Sequence, residues 1–174
     1  MAKLRKTLGD IESPECIALM RLIETQSAQT LSEWAITYAM ERYLTIYAKL
    51  CPKESRLGEI ATKCARCAQG QCQLNEVKPL FKEAGEIART TEQPAAQAAA
   101  RAVSAACAVL KTPTNALGFL FYGAAAVAYS ERGLEGSAQQ YDELAAAELR
   151  RALASLEQAS VPDETQPVKI SWHC

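Results

Sequence analysis

The sequence predicts an all-α fold: a compact bundle of about seven helices with no significant sheet. Three observations predict it. Apolar residues recur at helical spacing in nearly every segment with a clear period. Alternating Val-Ile-Thr runs, the mark of strands, are absent. Pro and Gly punctuation divides the chain into segments of helix length joined by short loops. With 174 residues, 49% of them hydrophobic, the chain is long enough for one domain with its own core.

The first helix opens at Ser13-Pro14, with Ser as N-cap and Pro as first helical residue, where its missing N–H costs nothing. Ile17, Met20 and Ile23 share a side. Thr30-Leu31-Ser32-Glu33 reads as a capping box that starts a second helix running to about Leu50. Ile36, Met40, Tyr43, Leu44, Tyr47 and Leu50 form one stripe on it; Leu31, Trp34, Ala35 and Tyr38 form another. Two stripes predict a helix covered on more than one side. Pro52 closes it.

A third helix follows over about 54–69, with Leu57, Ile60, Ala61, Cys64 and Cys67 on one face and Gly70 as its C-terminal stop. A fourth begins near Asn75, with Pro79 in or near its first turn, and carries Val77, Leu80, Phe81, Ala84, Ile87 and Ala88 on one side. Pro94 opens an alanine-dense fifth helix suited to close packing, or equally to association between copies of the chain. Thr112-Pro113-Thr114-Asn115 breaks and restarts the chain. The sixth helix is the run ALGFLFYGAAAVAY, with Gly118 and Gly123 as points of close approach. A seventh, about 137–158, carries Tyr141, Leu144, Ala145, Leu149, Ala152, Leu153 and Leu156. The organisation expected is a flexible segment 1–12, a single helical domain 13–160 and an irregular tail 161–174, which ends Trp172-His173-Cys174.

Composition excludes several classes of function. A net charge of −1 exerts no long-range pull on nucleic acid or anionic lipid. Lys3, Arg5 and Lys6 form a short terminal cluster, expected to be solvated. The longest apolar run, 116–129, is shorter than the ~20 residues needed to cross a bilayer. The start MAKLRKTLGDIES has no apolar stretch of a secretory signal. Seven cysteines without such a signal fit reduced thiols and a cytoplasmic setting. No nucleic-acid, membrane or cofactor partner is expected.

The chemistry-bearing residues narrow the choice further. KCARCAQGQC, residues 63–72, holds Cys64, Cys67 and Cys72, the candidate ligands of a metal or the candidate thiols of a redox site. Structural zinc generally needs two spaced ligand pairs, and there is no second CxxC. Cys64 and Cys67 lie on an apolar helix face, where Cys acts as a small hydrophobe, so core packing is the simpler reading. The single histidine, His173, cannot supply the two Glu-x-x-His motifs of a di-iron bundle, nor HExxH. Phosphate-binding and nucleophile-elbow motifs are absent. Most carboxylates, Glu83, Glu86 and Glu148 among them, sit beside Lys or Arg and read as solvated faces. Glu41 lies on the two-striped helix and would need a partner if buried, with Arg42, Lys49 or Arg101 available. Tyr38, Tyr43, Tyr47 and Tyr122 add polar tips to apolar faces. Tyr38, Glu41 and Arg42 are therefore the candidate binding surface.

Three stretches carry a resemblance: Glu33-Trp34-Ala35 followed by Tyr38-Ala39-Met40-Glu41-Arg42-Tyr43; Pro52 through Gly70 before Glu76-Val77; and the alanine-rich block 95–108 leading into Thr114-Asn115-Ala116-Leu117-Gly118 and Tyr122. In this order they resemble the five-like class of bacterial immunity proteins associated with polymorphic toxin systems, over about residues 30–129. The resemblance implies a small helical cytoplasmic protein that binds and neutralises a cognate toxin without catalysis. Members commonly carry histidines in the fifth and sixth helical segments. Residues 107–115 here have none, so no ligand role of those histidines carries over. The alternatives are a metal- or redox-responsive protein built on Cys64, Cys67 and Cys72, and a small-molecule binder with a helix-lined pocket at Glu41, Arg42 and the tyrosines.

Overall fold

Helical periodicity is realised along almost the whole chain. The structure, a computed structural model, describes residues 3–172. Its elements are α1 (Pro14–Ile23), α2 (Ala28–Ala39), a π-helical turn (Met40–Leu44), α3 (Thr45–Leu50), α4 (Arg56–Ala68), α5 (Leu74–Thr90), α6 (Pro94–Cys107), a 3₁₀ turn (Ala108–Leu110), α7 (Asn115–Arg132) and α8 (Ala138–Ala159). Because α2, the π turn and α3 run on without a break, the described residues form seven helical rods and no strand.

The helix starts follow local chemistry. Ser13 caps α1, its Oγ accepting from the Cys16 N–H at 3.2 Å. Ser137 and Gln140 form a reciprocal capping box on α8. Two expectations are corrected. The second rod starts three residues earlier than its Thr-x-x-Glu signature indicates: Ser27 is the N-cap, and its Oγ accepts from the Thr30 N–H at 3.1 Å. Serine ahead of the apolar period competes with threonine inside it, and the earlier cap wins. Pro79 lies within α5 rather than in its first turn. The Asn75 carbonyl that loses its donor there is on the exposed side, where water can serve it.

The core is centred on α6 and α7. Ala95, Ala96, Ala98, Ala99, Ala100, Ala102 and Ala106 of α6 are buried, and their small side chains let α6 approach α7 and α5 closely. The alanine-dense surface that could have served association between copies is thus occupied inside the fold. On α7, only Gly123 is a point of close approach; the position of a Cβ on Gly118 meets nothing nearer than Asn115 Oδ1 at 3.8 Å. At the other end of the chain, α8 packs on α7 and α1.

Both terminal segments are tied to this body. Leu8 is buried, its N–H donates to the Phe121 carbonyl at 3.1 Å, and the Tyr129 hydroxyl donates to the Arg5 carbonyl at 2.6 Å. Lys3, Arg5 and Lys6 are exposed, as expected of a solvated cluster, and Arg5 pairs with Asp142 at 2.7 Å in solvent. The docking rests on Leu8 and the backbone. After α8, Val168 N–H donates to the Gln26 carbonyl at 2.9 Å and the Trp172 indole donates to Glu24 Oε1 at 2.5 Å. His173 and Cys174 lie outside the described residues. No helix among the described residues is long and apolar enough to cross a membrane.

Candidate functional site

The two-striped second rod brings Tyr38, Arg42 and Tyr43 to one carboxylate on α8. An α-helix places residues i and i+5 about 140° apart. The wider π turn at Met40–Leu44 brings such a pair nearer to one side, and π turns are frequent at functional positions. Here it lets Tyr38 and Tyr43 face Glu148 together. The Tyr38 hydroxyl donates to Glu148 Oε1 at 2.7 Å and the Tyr43 hydroxyl donates to the same oxygen at 3.0 Å. Arg42 Nε donates to Oε1 at 3.3 Å, and its Nη2 donates to Oε2 in a short charge-assisted contact.

Glu148 is 2% exposed, and no buried side-chain polar atom among the described residues lacks a partner. Its reading as part of a solvated face is therefore corrected. Helical spacing places Glu148 on the buried stripe of α8, three residues after Ala145 and four before Ala152, but does not reveal the donors facing it from another helix. Glu41 is the converse: it is exposed and needs none of the counter-ions considered for it.

The electrostatics follow from burial. Desolvation, then the charge of Glu148, raise the Tyr38 and Tyr43 hydroxyls far above the usual phenol range. Burial opposes the Arg42 charge, but the hydrogen bonds and charge of Glu148 more than offset it and hold the guanidinium protonated. The tyrosines are thus neutral donors and Arg42 a fixed cation. Around them, Tyr38, Tyr43, Trp34 and Phe119 pack edge-to-face or tilted, with centroids 5.5–6.3 Å apart. Such a cluster fixes α8 against α2. It contains no nucleophile paired with a base.

Outside this cluster, a groove of about 360 Å³ runs between α2 and α8. Trp34 and Tyr38 form its inner wall, Ser155 lies across from them, and Glu33, Thr37 and Glu41 lie along α2 and the start of the π turn. The Trp34 indole donates to Ser155 Oγ at 3.1 Å and so braces the floor. Of the residues singled out from sequence, Tyr38 and Glu41 line the groove. Arg42, whose side chain is 27% exposed, instead turns to Glu148.

The cysteine stretch separates into pairs. Cys64 is fully buried and shares a thiol hydrogen bond with Cys107 of α6. Cys67, in the last turn of α4, sits with its Sγ 3.5 Å from the Cys72 carbonyl oxygen, where the chain has reversed at Gly70 with φ +79°. Burial, aided by Cys72, pushes the Cys67 thiol up to about 11. The described residues contain no group of three or more His, Cys, Asp or Glu side chains placed to hold a metal ion. Glu83 and Glu86 each pair with an arginine in solvent, Glu83 with Arg56 and Glu86 with Arg89.

A family profile described as Imm-5 like putative immunity protein matches residues 21–160. The matched region begins in α1 and reaches the end of α8, so it includes the Glu148 cluster, the groove and both cysteine pairs. The comparison with curated proteins returns no match, and the comparison with solved structures returns none either. With all but the two ends of its length matched, the chain belongs to the Imm-5 like immunity protein family.

Proposed function

We propose that the protein is a non-catalytic immunity protein of a bacterial toxin system, acting in the cytoplasm by binding and neutralising a cognate toxin. The observation that carries this reading is the family match over residues 21–160. The α2–α8 groove supplies the contact surface: aromatic walls set on rigid helices, a buried brace behind them, and Glu33 and Glu41 at the solvent side. An interface built on pre-ordered helices loses little conformational entropy on binding, which favours tight inhibition. Exposed Glu41 adds charge where it steers approach and does not disturb the core.

Co-expression with toxins encoded beside the gene tests the proposal. The wild-type protein protects cells from one of them and forms a stable complex with it. Glu41→Arg and Thr37→Arg, both at exposed positions, lose protection while keeping the wild-type Tm. Failure of the wild type against every neighbouring toxin overturns the immunity reading. Full protection by both variants overturns the placement of the interface in the groove.

A further inference from the structure

A second pocket, sharing no lining residue with the groove, lies between α5, α6 and the start of α7. It has a volume of about 380 Å³. Arg101 and Ser104 of α6, Asn115 and Tyr122 of α7, and Arg89 of α5 line it, with small alanines and Gly85 completing the wall. Four of these polar side chains, Arg101, Ser104, Asn115 and Tyr122, are half-buried. None of the four makes a side-chain hydrogen bond or ion pair among the described residues. No carboxylate lines the pocket, and the nearest in sequence, Glu86, is held by Arg89.

This is an unusual concentration of unused donors. A guanidinium offers five N–H groups, a serine and a tyrosine hydroxyl one O–H each, and an asparagine amide two N–H groups. Elsewhere in this protein, buried polar side chains find partners, as Glu148 finds Arg42 and Gln26 finds Val161. No buried polar atom among the described residues lacks a partner, so these donors are open to solvent, and an anion entering the pocket finds them unoccupied. A carboxylate has two oxygens to offer this set; a phosphate group has more, and distributes them tetrahedrally over donors that come from two helices.

We propose that the α5–α6–α7 pocket is a binding site for a phosphate group, with Arg101 as its counter-ion and Ser104, Asn115 and Tyr122 as neutral donors. Arg89 stands at the rim, its Nε and Nη2 shared with Glu86. The alanine and glycine wall leaves space beside the phosphate for the organic part of a monoester, since a pocket of this size falls within the range for small ligands. The inference does not depend on the toxin-binding reading, because the two sites share no residue.

The test is a titration of the full-length, isotope-labelled protein followed by amide NMR at constant ionic strength. Inorganic phosphate, phenyl phosphate and acetate are the probes, with chloride as the balancing salt. Phosphate should shift amides of α6 and the first turns of α7 to saturation and leave those lining the α2–α8 groove in place. Arg101→Gln and Ser104→Ala should each weaken binding, the former by about tenfold or more, in line with loss of a charge-assisted contact. Tighter binding of phenyl phosphate supports a monoester as occupant; tighter binding of inorganic phosphate supports the free ion. Acetate saturating the same amides as tightly overturns the phosphate assignment. Linear, unsaturating shifts with all three probes overturn the site. If Arg101→Gln does not fold, Ser104→Ala and Tyr122→Phe carry the same comparison.

Discussion

The Tyr43 ring occupies the space that a side chain at Gly123 would need. A Cβ built on Gly123 would overlap the end of the ring, including its hydroxyl oxygen. Tyr43 is fully buried, so it has no open volume into which to retreat. Glycine at 123 is therefore required by Tyr43, and Tyr43 is placed by Glu148. Gly123→Ala should destabilise the fold by about 1–3 kcal/mol through overpacking. Urea unfolding checks this as a lowered midpoint with an unchanged m-value. Pairing Gly123→Ala with Tyr43→Leu should recover part of the loss, because the clash needs both side chains.

The Arg42–Glu148 pair makes a separate prediction. Removing one member of a buried pair leaves the other's charge behind, at a cost of roughly 3–5 kcal/mol for full burial. Arg42 is partly exposed and can turn to solvent, so Arg42→Met should be the harsher change, leaving Glu148 buried without its cation. Glu148→Leu strands two tyrosine hydroxyls and frees Arg42. The double variant should be clearly more stable than the two losses added together. Strict additivity in a double-mutant cycle would show that the pair is not coupled.

Stability should fall on the alkaline side. Tyr38 and Tyr43 have folded-state pKa values raised above their unfolded value of about 10. Above that pH the unfolded chain releases both protons while the folded one retains them, so the contribution is complete below about pH 10 and declines as pH rises. Each such group contributes a slope of about −1.4 kcal/mol per pH unit above pH 10, and Tyr47 and Tyr129, also raised by burial, add to it. Tyr38→Phe should make the slope shallower by about 1.4 kcal/mol per pH unit. Unfolding titrations between pH 9 and pH 11 (about one unit either side of the unfolded value) measure it; an unchanged slope would remove Tyr38 from the effect.

The rods of this fold were legible because apolar period and caps are local. Pro14, Gly70, Pro94 and Ser137 mark ends that the structure keeps. The candidate groove was legible only in part. Tyr38 and Glu41 stand out because they sit on a rod with two apolar stripes, and both line the groove. Glu148 was hidden because its partners lie 105–110 residues away; its spacing from Ala145 and Ala152 puts it on the buried stripe, but the neighbouring Arg150 and Arg151 suggest a solvated face. The π turn was hidden too: one inserted residue shifts the facing of 40–44 without changing composition. The sequence offers Arg101 only as a possible counter-ion to Glu41 and Asn115 only as part of the break at 112–115, since an unpaired donor is a property of the assembled surroundings.

Cysteine reactivity should divide along the pairs. Cys64 and Cys107 are fully buried and should alkylate only on unfolding. Cys67 is partly exposed, with its thiol pushed up to about 11 by burial and by Cys72. The thiolate is the reactive form, so the Cys67 rate should rise about tenfold for each pH unit between pH 8 and pH 10. Peptide mapping after timed alkylation reads each site separately. Rapid modification of Cys107 in the folded protein would contradict the burial that defines the α4–α6 contact.

Gln26 joins the C-terminal segment to the loop after α1. Its side-chain oxygen accepts from the Val161 N–H at 2.7 Å, its amide donates to the Val161 carbonyl at 3.1 Å, and its own carbonyl accepts from Val168. Gln26 is only 2% exposed, so Gln26→Ala removes three side-chain hydrogen bonds, two to Val161 and one to Thr25, and leaves the Val161 backbone groups to find water. The expected loss is about 1–3 kcal/mol. It should come with faster amide exchange at Val161 and Val168 and an unshifted Tyr38–Glu148 cluster. Trp172→Ala removes the indole bond to Glu24, which lies in solvent and should contribute less. If Trp172→Ala destabilises more than Gln26→Ala, the tail is anchored by its aromatic end and not by the glutamine bridge.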